Sequence, residues 1–237
     1  MASLTVRQLD EALKKKLRLR AARNGRSVED EVRTILRSAA ADGETFAAAP
    51  AEPAKKSETA TRKALLIIGG GIAAYKSLEL VRLLKKAGHS VTPVLTKGGE
   101  HFVTAMSLGT LAESEVHSSL WELKDEVEIG HIQLSRAADF VLVCPATADL
   151  LAKMAAGIAD DLATTLLLAT DKSVVVAPAM NVRMWLHAAT QRNIAQLKAD
   201  GIRVIEPAEG EMACGEFGPG RLPEPQDIMD QLTDLLK

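Results

Sequence analysis

ALLIIGGGIAAYKSLELVRLLKKAG, residues 64–88, joins a short apolar run to three consecutive glycines and then to apolar residues at helical spacing. A strand, a turn and a helix follow from that order. Apolar β-type runs recur at ALLII (64–68), SVTPVL (90–95), DFVLVC (139–144), SVVVAP (173–178) and IRVIE (202–206), with helical patterns between them. Strands alternating with helices predict an α/β fold, a doubly wound parallel sheet covered on both faces.

Such sheets bind ligands beyond the carboxyl ends of their strands. After the first strand, Gly69–Gly71 let the backbone approach a ligand, and a helix beginning near Ala73 suits an anion. Gly69, Gly71 and Ala74 satisfy G-x-G-x-x-A, yet the acidic residue expected at the end of the second strand is absent. Thr96 and Lys97 of VLTKGGE stand there, so a monophosphate fits better than a pyrophosphate-ribose. The alternative is that the glycines only make a tight turn.

The chain of 237 residues is 47% hydrophobic, ample for a packed core. A net charge of −2 gives no whole-chain argument for nucleic acid or membrane. No apolar run approaches a membrane span and no signal peptide is evident, so a cytoplasmic protein without membrane contact is expected. The two cysteines make no disulfide framework: Cys144 lies in the apolar DFVLVCPA, Cys214 in ACGEFGPGRL (213–222), where no regular element is expected to persist.

The charge is uneven, with ten Lys/Arg against five Asp/Glu in residues 1–40. SLTVRQLD reads as a strand running into a helix with Leu9, Leu13, Leu17 and Ala21 on one face. In RNGRSVEDEVRTILRSAA, Gly25 stops that helix, Ser27 and Asp30 form a capping box, and Val28, Val32, Ile35 and Leu36 make a second apolar face. About forty residues of strand–helix–helix need a partner chain to complete a core. Residues 1–40 resemble the ribbon-helix-helix family of antitoxin-type regulators. The resemblance implies that Ser3, Thr5 and Arg7 face DNA bases; a unit that only dimerises is equally compatible. Residues 41–61 have the composition of a disordered linker, which leaves 62–237 as the larger domain.

In that domain His131 precedes the third strand and Pro145, Ala146 and Thr147 follow it. After the fourth, Asn181 brings an amide able to orient a carboxylate or carbonyl. Met184 and Trp185, taken alone, read as core.

GGGIAAYKSLELVRLL, GHIQL, PATADLLAKMAAGIADDL, PAMNVRMW and ACGEFGPGR together resemble, in order, the motifs of the flavin-containing cysteine decarboxylases, in particular those acting on phosphopantothenoylcysteine. The likeness spans roughly residues 63–230. It implies a flavodoxin/Rossmann-like flavoprotein that binds FMN and decarboxylates 4'-phospho-N-pantothenoylcysteine to 4'-phosphopantetheine, on the route to coenzyme A. Losing carbon dioxide from an unactivated carboxylate needs an electron sink, the sequence offers no metal cluster, and a flavin supplies one.

By the resemblance, Gly70, Gly71, Ile72, Thr96, Pro145, Ala146 and Thr147 hold FMN, and His131 is the essential histidine, an imidazole suited to proton transfer. Asn181 holds the substrate carboxylate, with Met184 and Trp185 in the same clamp. Cys214 donates the proton that completes reduction of the enethiol, and Arg221 holds the substrate phosphate or the closed loop. The chain departs from the family pattern at Ile67 and Gly69, where relatives have glycine and serine, at Asp149 for asparagine, and at Glu216 and Leu222 for aspartate and methionine. The run to Lys237 leaves no room for the ligase fused behind many bacterial relatives.

Two other functions compete. A peptidyl-cysteine decarboxylase releases the enethiol unreduced and has no need of Cys214. A DNA-binding regulator would keep the flavoprotein domain as a sensor. The favoured role of residues 1–40 is oligomerisation: a family trimer with FMN between subunits, joined by two-fold ribbon-helix-helix pairs, closes a dodecamer.

Overall fold

The computed structural model describes residues 16–21, 24–41, 61–120, 130–213 and 215–236. The chain divides into two units, Met1–Lys56 and Ser57–Lys237. Ser3, Thr5, Arg7 and most of the expected linker lie outside the described residues.

In the smaller unit a helical segment, 16–21, is followed by Gly25 at φ 60 and the helix Val28–Ala41. Ser27 Oγ accepts from the Asp30 amide at 3.1 Å and donates to the Asp30 carboxylate at 2.9 Å. The cap therefore forms, but the expected return bond from the Asp30 side chain to the Ser27 amide is replaced by this hydroxyl contact. Glu31, 1% exposed, accepts from Arg20 Nε and Asn24 Nδ2 at 2.9 Å each, tying helix to turn. Those hydrogen bonds, Asn24's foremost, hold its carboxyl below the ordinary range.

In the larger unit the strands are β1 (Lys63–Ile68), β2 (Ser90–Leu95), β3 (Phe140–Ala146), β4 (Ser173–Pro178) and β5 (Arg203–Val204). They form one sheet in the order β2-β1-β3-β4-β5, with every pairing parallel. Alternation along β1 explains the two-sided core: Leu66 and Ile68 join one cluster, Leu65 and Ile67 the other. Leu80, Leu84, Leu108, Ile228 and Leu232 cover the first face from helices Lys76–Lys86, Ala105–Ala112 and Pro225–Leu235. Leu150, Leu151, Leu162, Leu166, Ile194 and Leu197 cover the second from helices Ala148–Ala156, Leu162–Ala169 and Ala188–Ala199. Truncating a fully buried residue such as Leu66 to alanine costs about 2–5 kcal/mol. Cys144 sits in this core, where burial pushes its thiol up to about 12; it is structural.

Two expectations need correction. IRVIE pairs only at Arg203–Val204, because this edge strand leaves the sheet once the Ile205 amide has bonded Val176 O at 2.9 Å. The glycine-rich run expected to be irregular supports a strand: β7 (Phe217–Arg221) pairs antiparallel with β6 (Ala208–Glu211). Gly218 and Gly220, at φ 151 and 130, take up conformations that side chains rarely adopt, so the glycines are what let this strand form.

Candidate active site

The floor of the site is the turn after β1. The Gly69 amide bonds Pro145 O at 3.1 Å, and a Cβ on Gly69 would lie 2.4 Å from that oxygen. A side chain at Gly69 would force this contact apart. Gly70 rests against Gly98, where an added Cβ would come within 3.0 Å of backbone. Gly71 precedes the short 3-10 turn Ile72–Tyr75 without a side-chain cap and faces open space. Among the described residues the amides of Gly70, Gly71 and Ile72 donate to no backbone carbonyl. Uncapped amides at the start of a helical segment make a ready anion cradle.

Thr96, expected at the cofactor, braces this floor. Its hydroxyl donates to Ile68 O at 3.0 Å and accepts from the Gly99 amide at 3.1 Å, so it joins the ends of β1 and β2. Thr147 accepts from the Leu150 amide at 3.2 Å as a helix cap. Pro145 and Ala146 are buried and hold neighbouring loops through their carbonyls, Ala146 to the Ala179 amide at 3.0 Å.

The roof is the β6–β7 hairpin. It leans on the turn after β4, where the Met180 amide bonds Gly220 O at 2.9 Å and Val182 occupies the space a Cβ on Gly218 would need. A cavity of about 700 Å³ opens between floor and roof, lined among others by Gly70, Gly71, Ile72, Asn181, Met212 and Arg221.

Asn181 caps the helix Val182–Leu186: its Oδ1 accepts from the Arg183 and Met184 amides at 2.8 and 3.2 Å. Its Nδ2 donates to the Glu216 carboxylate, whose other oxygen accepts from Arg183 Nε at 3.1 Å. Arg221 Nη2 donates to Glu224 at 2.8 Å.

Lys76 also lines the cavity and was not anticipated. It is 7% exposed, and its Nζ donates to Leu222 O at 3.1 Å and Glu224 at 2.9 Å. The hydrogen bond from Lys76 is the main reason the Glu224 carboxyl lies below the ordinary range. The signal was available: Lys76 precedes Leu80 and Leu84 at intervals of four, on the face that the helix buries.

The remaining candidates are not brought together here. Trp185 is 7% exposed and belongs to the core, while Met184 is 49% exposed and does not line the cavity. His131, half-buried, opens the helix Gly130–Ala137, which packs on Leu162–Ala169 away from the cavity. Cys214 lies outside the described residues; Met212 and Ala213 beside it line the cavity.

An open parallel sheet with uncapped amides at one strand end and a hairpin over a cavity there defines the class: a doubly wound α/β protein with its cavity beyond the carboxyl ends of the strands. Residues 52–237 match the family described as Flavoprotein, and the chain belongs to the flavoprotein family. Residues 2–40 match a second family, Antitoxin FitA-like, ribbon-helix-helix.

The chain is 48% identical over 170 residues to the coenzyme A biosynthesis bifunctional protein CoaBC of Vibrio vulnificus, covering 72% of this chain and 42% of that one. It thus spans less than half the length of the curated relatives it matches. Among solved structures it resembles a PPC decarboxylase mutant complexed with pantothenoylaminoethenethiol, at TM-score 0.69 and 31% identity, covering 74% of this chain and 98% of that one. The FMN binding protein AtHal3 is similar at TM-score 0.67 and 32% identity, with coverage of 74% and 96%.

Proposed function

We propose that the larger unit is an FMN-dependent decarboxylase that converts 4'-phospho-N-pantothenoylcysteine to 4'-phosphopantetheine in coenzyme A biosynthesis. One observation carries the reading: a single cavity has an anion cradle, Gly70–Ile72, on its floor and the carboxylate-gripping amide of Asn181 on its wall. The residues fit FMN, because among the described residues the Gly70, Gly71 and Ile72 amides donate to no backbone carbonyl, a Cβ at Gly71 would meet nothing, and the cavity is of cofactor size. When bound, FMN supplies the electron sink that decarboxylation requires.

The chain's own groups then divide the work. The amides of Gly70, Gly71 and Ile72 hold the cofactor phosphate, with Thr96, Pro145, Ala146 and Thr147 supporting the loop from behind. Asn181, oriented by its cap, holds the cysteinyl carboxylate in one pose. Arg221, which shares the Glu224 carboxylate with Lys76, supplies a planar guanidinium at the cavity wall suited to the substrate phosphate. Cys214 donates the proton that completes reduction, and Met184 and Trp185 back the turn that carries Asn181.

His131 serves proton transfer from a neighbouring copy, because it lies away from the cavity of its own chain; the trimer that the resemblance implies would supply that neighbour. Residues 1–40 pair copies two-fold, residues 41–61 act as a linker, and trimers so joined close a dodecamer. The ribbon-helix-helix match also favours a second reading, operator binding through Ser3, Thr5 and Arg7. No helix among the described residues is long and apolar enough to cross a membrane, and a cytoplasmic enzyme fits the substrate.

Incubation with phosphopantothenoylcysteine followed by mass analysis tests the chemistry: reduced 4'-phosphopantetheine is expected, and an unreduced product or no reaction defeats the reading. Cys214→Ser should release carbon dioxide and stop at the enethiol. Mass in solution with and without residues 1–45 tests the assembly, and a salt series on candidate operators tests DNA binding.

A further inference from the structure

Asn181 has only one way to present its amide. The Arg183 and Met184 amides take its Oδ1 at 2.8 and 3.2 Å, so the Nδ2 must point outward as a donor. Arg183 Nε lies beside it, and both donate to one carboxylate: Glu216 Oε2 receives Asn181, Glu216 Oε1 receives Arg183 at 3.1 Å. An amide and a guanidinium gripping the two oxygens of a carboxyl group make a carboxylate seat. These two donors lie within residues 181–184, whereas their acceptor arrives from the hairpin some thirty-five positions further on.

We propose that Glu216 is a resident stand-in for the substrate carboxylate, and that substrate binds by exchange with it; this rests on Asn181 being the carboxylate anchor of the decarboxylation above. Two carboxylates cannot share a seat that holds one cation, since their repulsion is not compensated. Exchange is feasible because the pair is open to solvent: Arg183 is 87% and Glu216 33% exposed, and exposed ion pairs hold weakly. Because Glu216 sits at the foot of β7, its departure also frees one tie between the hairpin roof and the turn after β4. Glu216 thereby sets how strongly the enzyme prefers a ligand bearing the carboxylate over one that has lost it.

The test compares wild type with Glu216→Ala and Glu216→Gln in two measurements: KM for phosphopantothenoylcysteine and the inhibition constant of 4'-phosphopantetheine, which lacks the carboxyl group. With the competitor removed, KM should fall about threefold or more while the product's constant moves less than about twofold. Glu216→Gln, which keeps an acceptor without the charge, should fall between. A KM that is unchanged or rises, or constants that move together, overturns the inference and leaves Glu216 a structural tie. Should Glu216→Ala fail to fold, the same split in Glu216→Gln decides. Wild-type protein that releases no carbon dioxide instead defeats the functional reading, and the inference with it.

Discussion

Floor and roof of the cavity are held by different kinds of bond. The floor is fastened by backbone and one hydroxyl: Gly69 to Pro145, and Thr96 to both Ile68 and Gly99. The roof is fastened to the turn after β4 largely by side chains, Asn181 and Arg183 to Glu216, with Met180 to Gly220 as a backbone tie. Backbone bonds between adjacent strand ends come with the sheet, whereas charged pairs near the surface exchange readily with water and ligands. The cavity therefore has a floor fixed by the sheet and a roof whose side-chain ties exchange more readily.

Substitutions separate the two. Asn181→Ala should have the largest effect, removing the carboxylate anchor and lowering kcat/KM by about 100-fold or more, with a loss of about 1 kcal/mol from the missing cap. Steady-state kinetics beside a thermal melt reads both, and flavin retention should survive because the floor is untouched. Gly220→Ala places a Cβ 2.5 Å from Met180 O at φ 130. It should cost about 1–3 kcal/mol, with faster hydrogen exchange confined to the hairpin.

Lys76→Met should cost about 1–3 kcal/mol by removing a buried charge-assisted bond. The Glu224 carboxyl, now held down by Lys76, should move back toward its ordinary 4.5, visible by NMR titration. A depressed carboxyl stabilises the fold above its ordinary value and loses that contribution as pH falls through the folded one. The stability gap between wild type and Lys76→Met should therefore shrink below pH 4.5. Thr96→Val should have the smallest effect, about 1 kcal/mol, and unlike the roof variants should weaken flavin retention before it alters KM.

The same contrast marks what could be read from the amino acids. Strands β2 and β4 run over the residues their apolar runs occupy, β1 starts one residue earlier, and β3 starts one residue later and ends two further on, because parallel strands buried on both faces must be apolar throughout. The Gly69–Gly71 turn was equally visible as a break between two periodic elements. The hairpin was hidden, since glycine and proline signal irregularity and only backbone conformation turns Phe217–Arg221 into a strand. Lys76 was overlooked because a lysine is ordinarily solvated, and its burial depends on Leu222 and Glu224, far along the chain. Thr96 and Thr147 have residue types suited to a phosphate, and each hydroxyl also bonds local backbone, which residue type alone does not reveal. Asn181 was legible as an amide after a strand; that its donor faces a glutamate was not.

The Lys76–Glu224 contact joins positions 148 residues apart. During synthesis the glycine turn leaves the ribosome early, and the sheet around β1, β2 and β3 can assemble behind it. The wall that closes the cavity arrives only with residues 211–222, and the lysine has no carboxylate partner until Glu224 follows. A nascent chain thus exposes the glycine turn before the residues that complete the cavity lining have been made. A chain stalled before residue 211 therefore lacks the residues that complete the cavity lining, however well its sheet has formed.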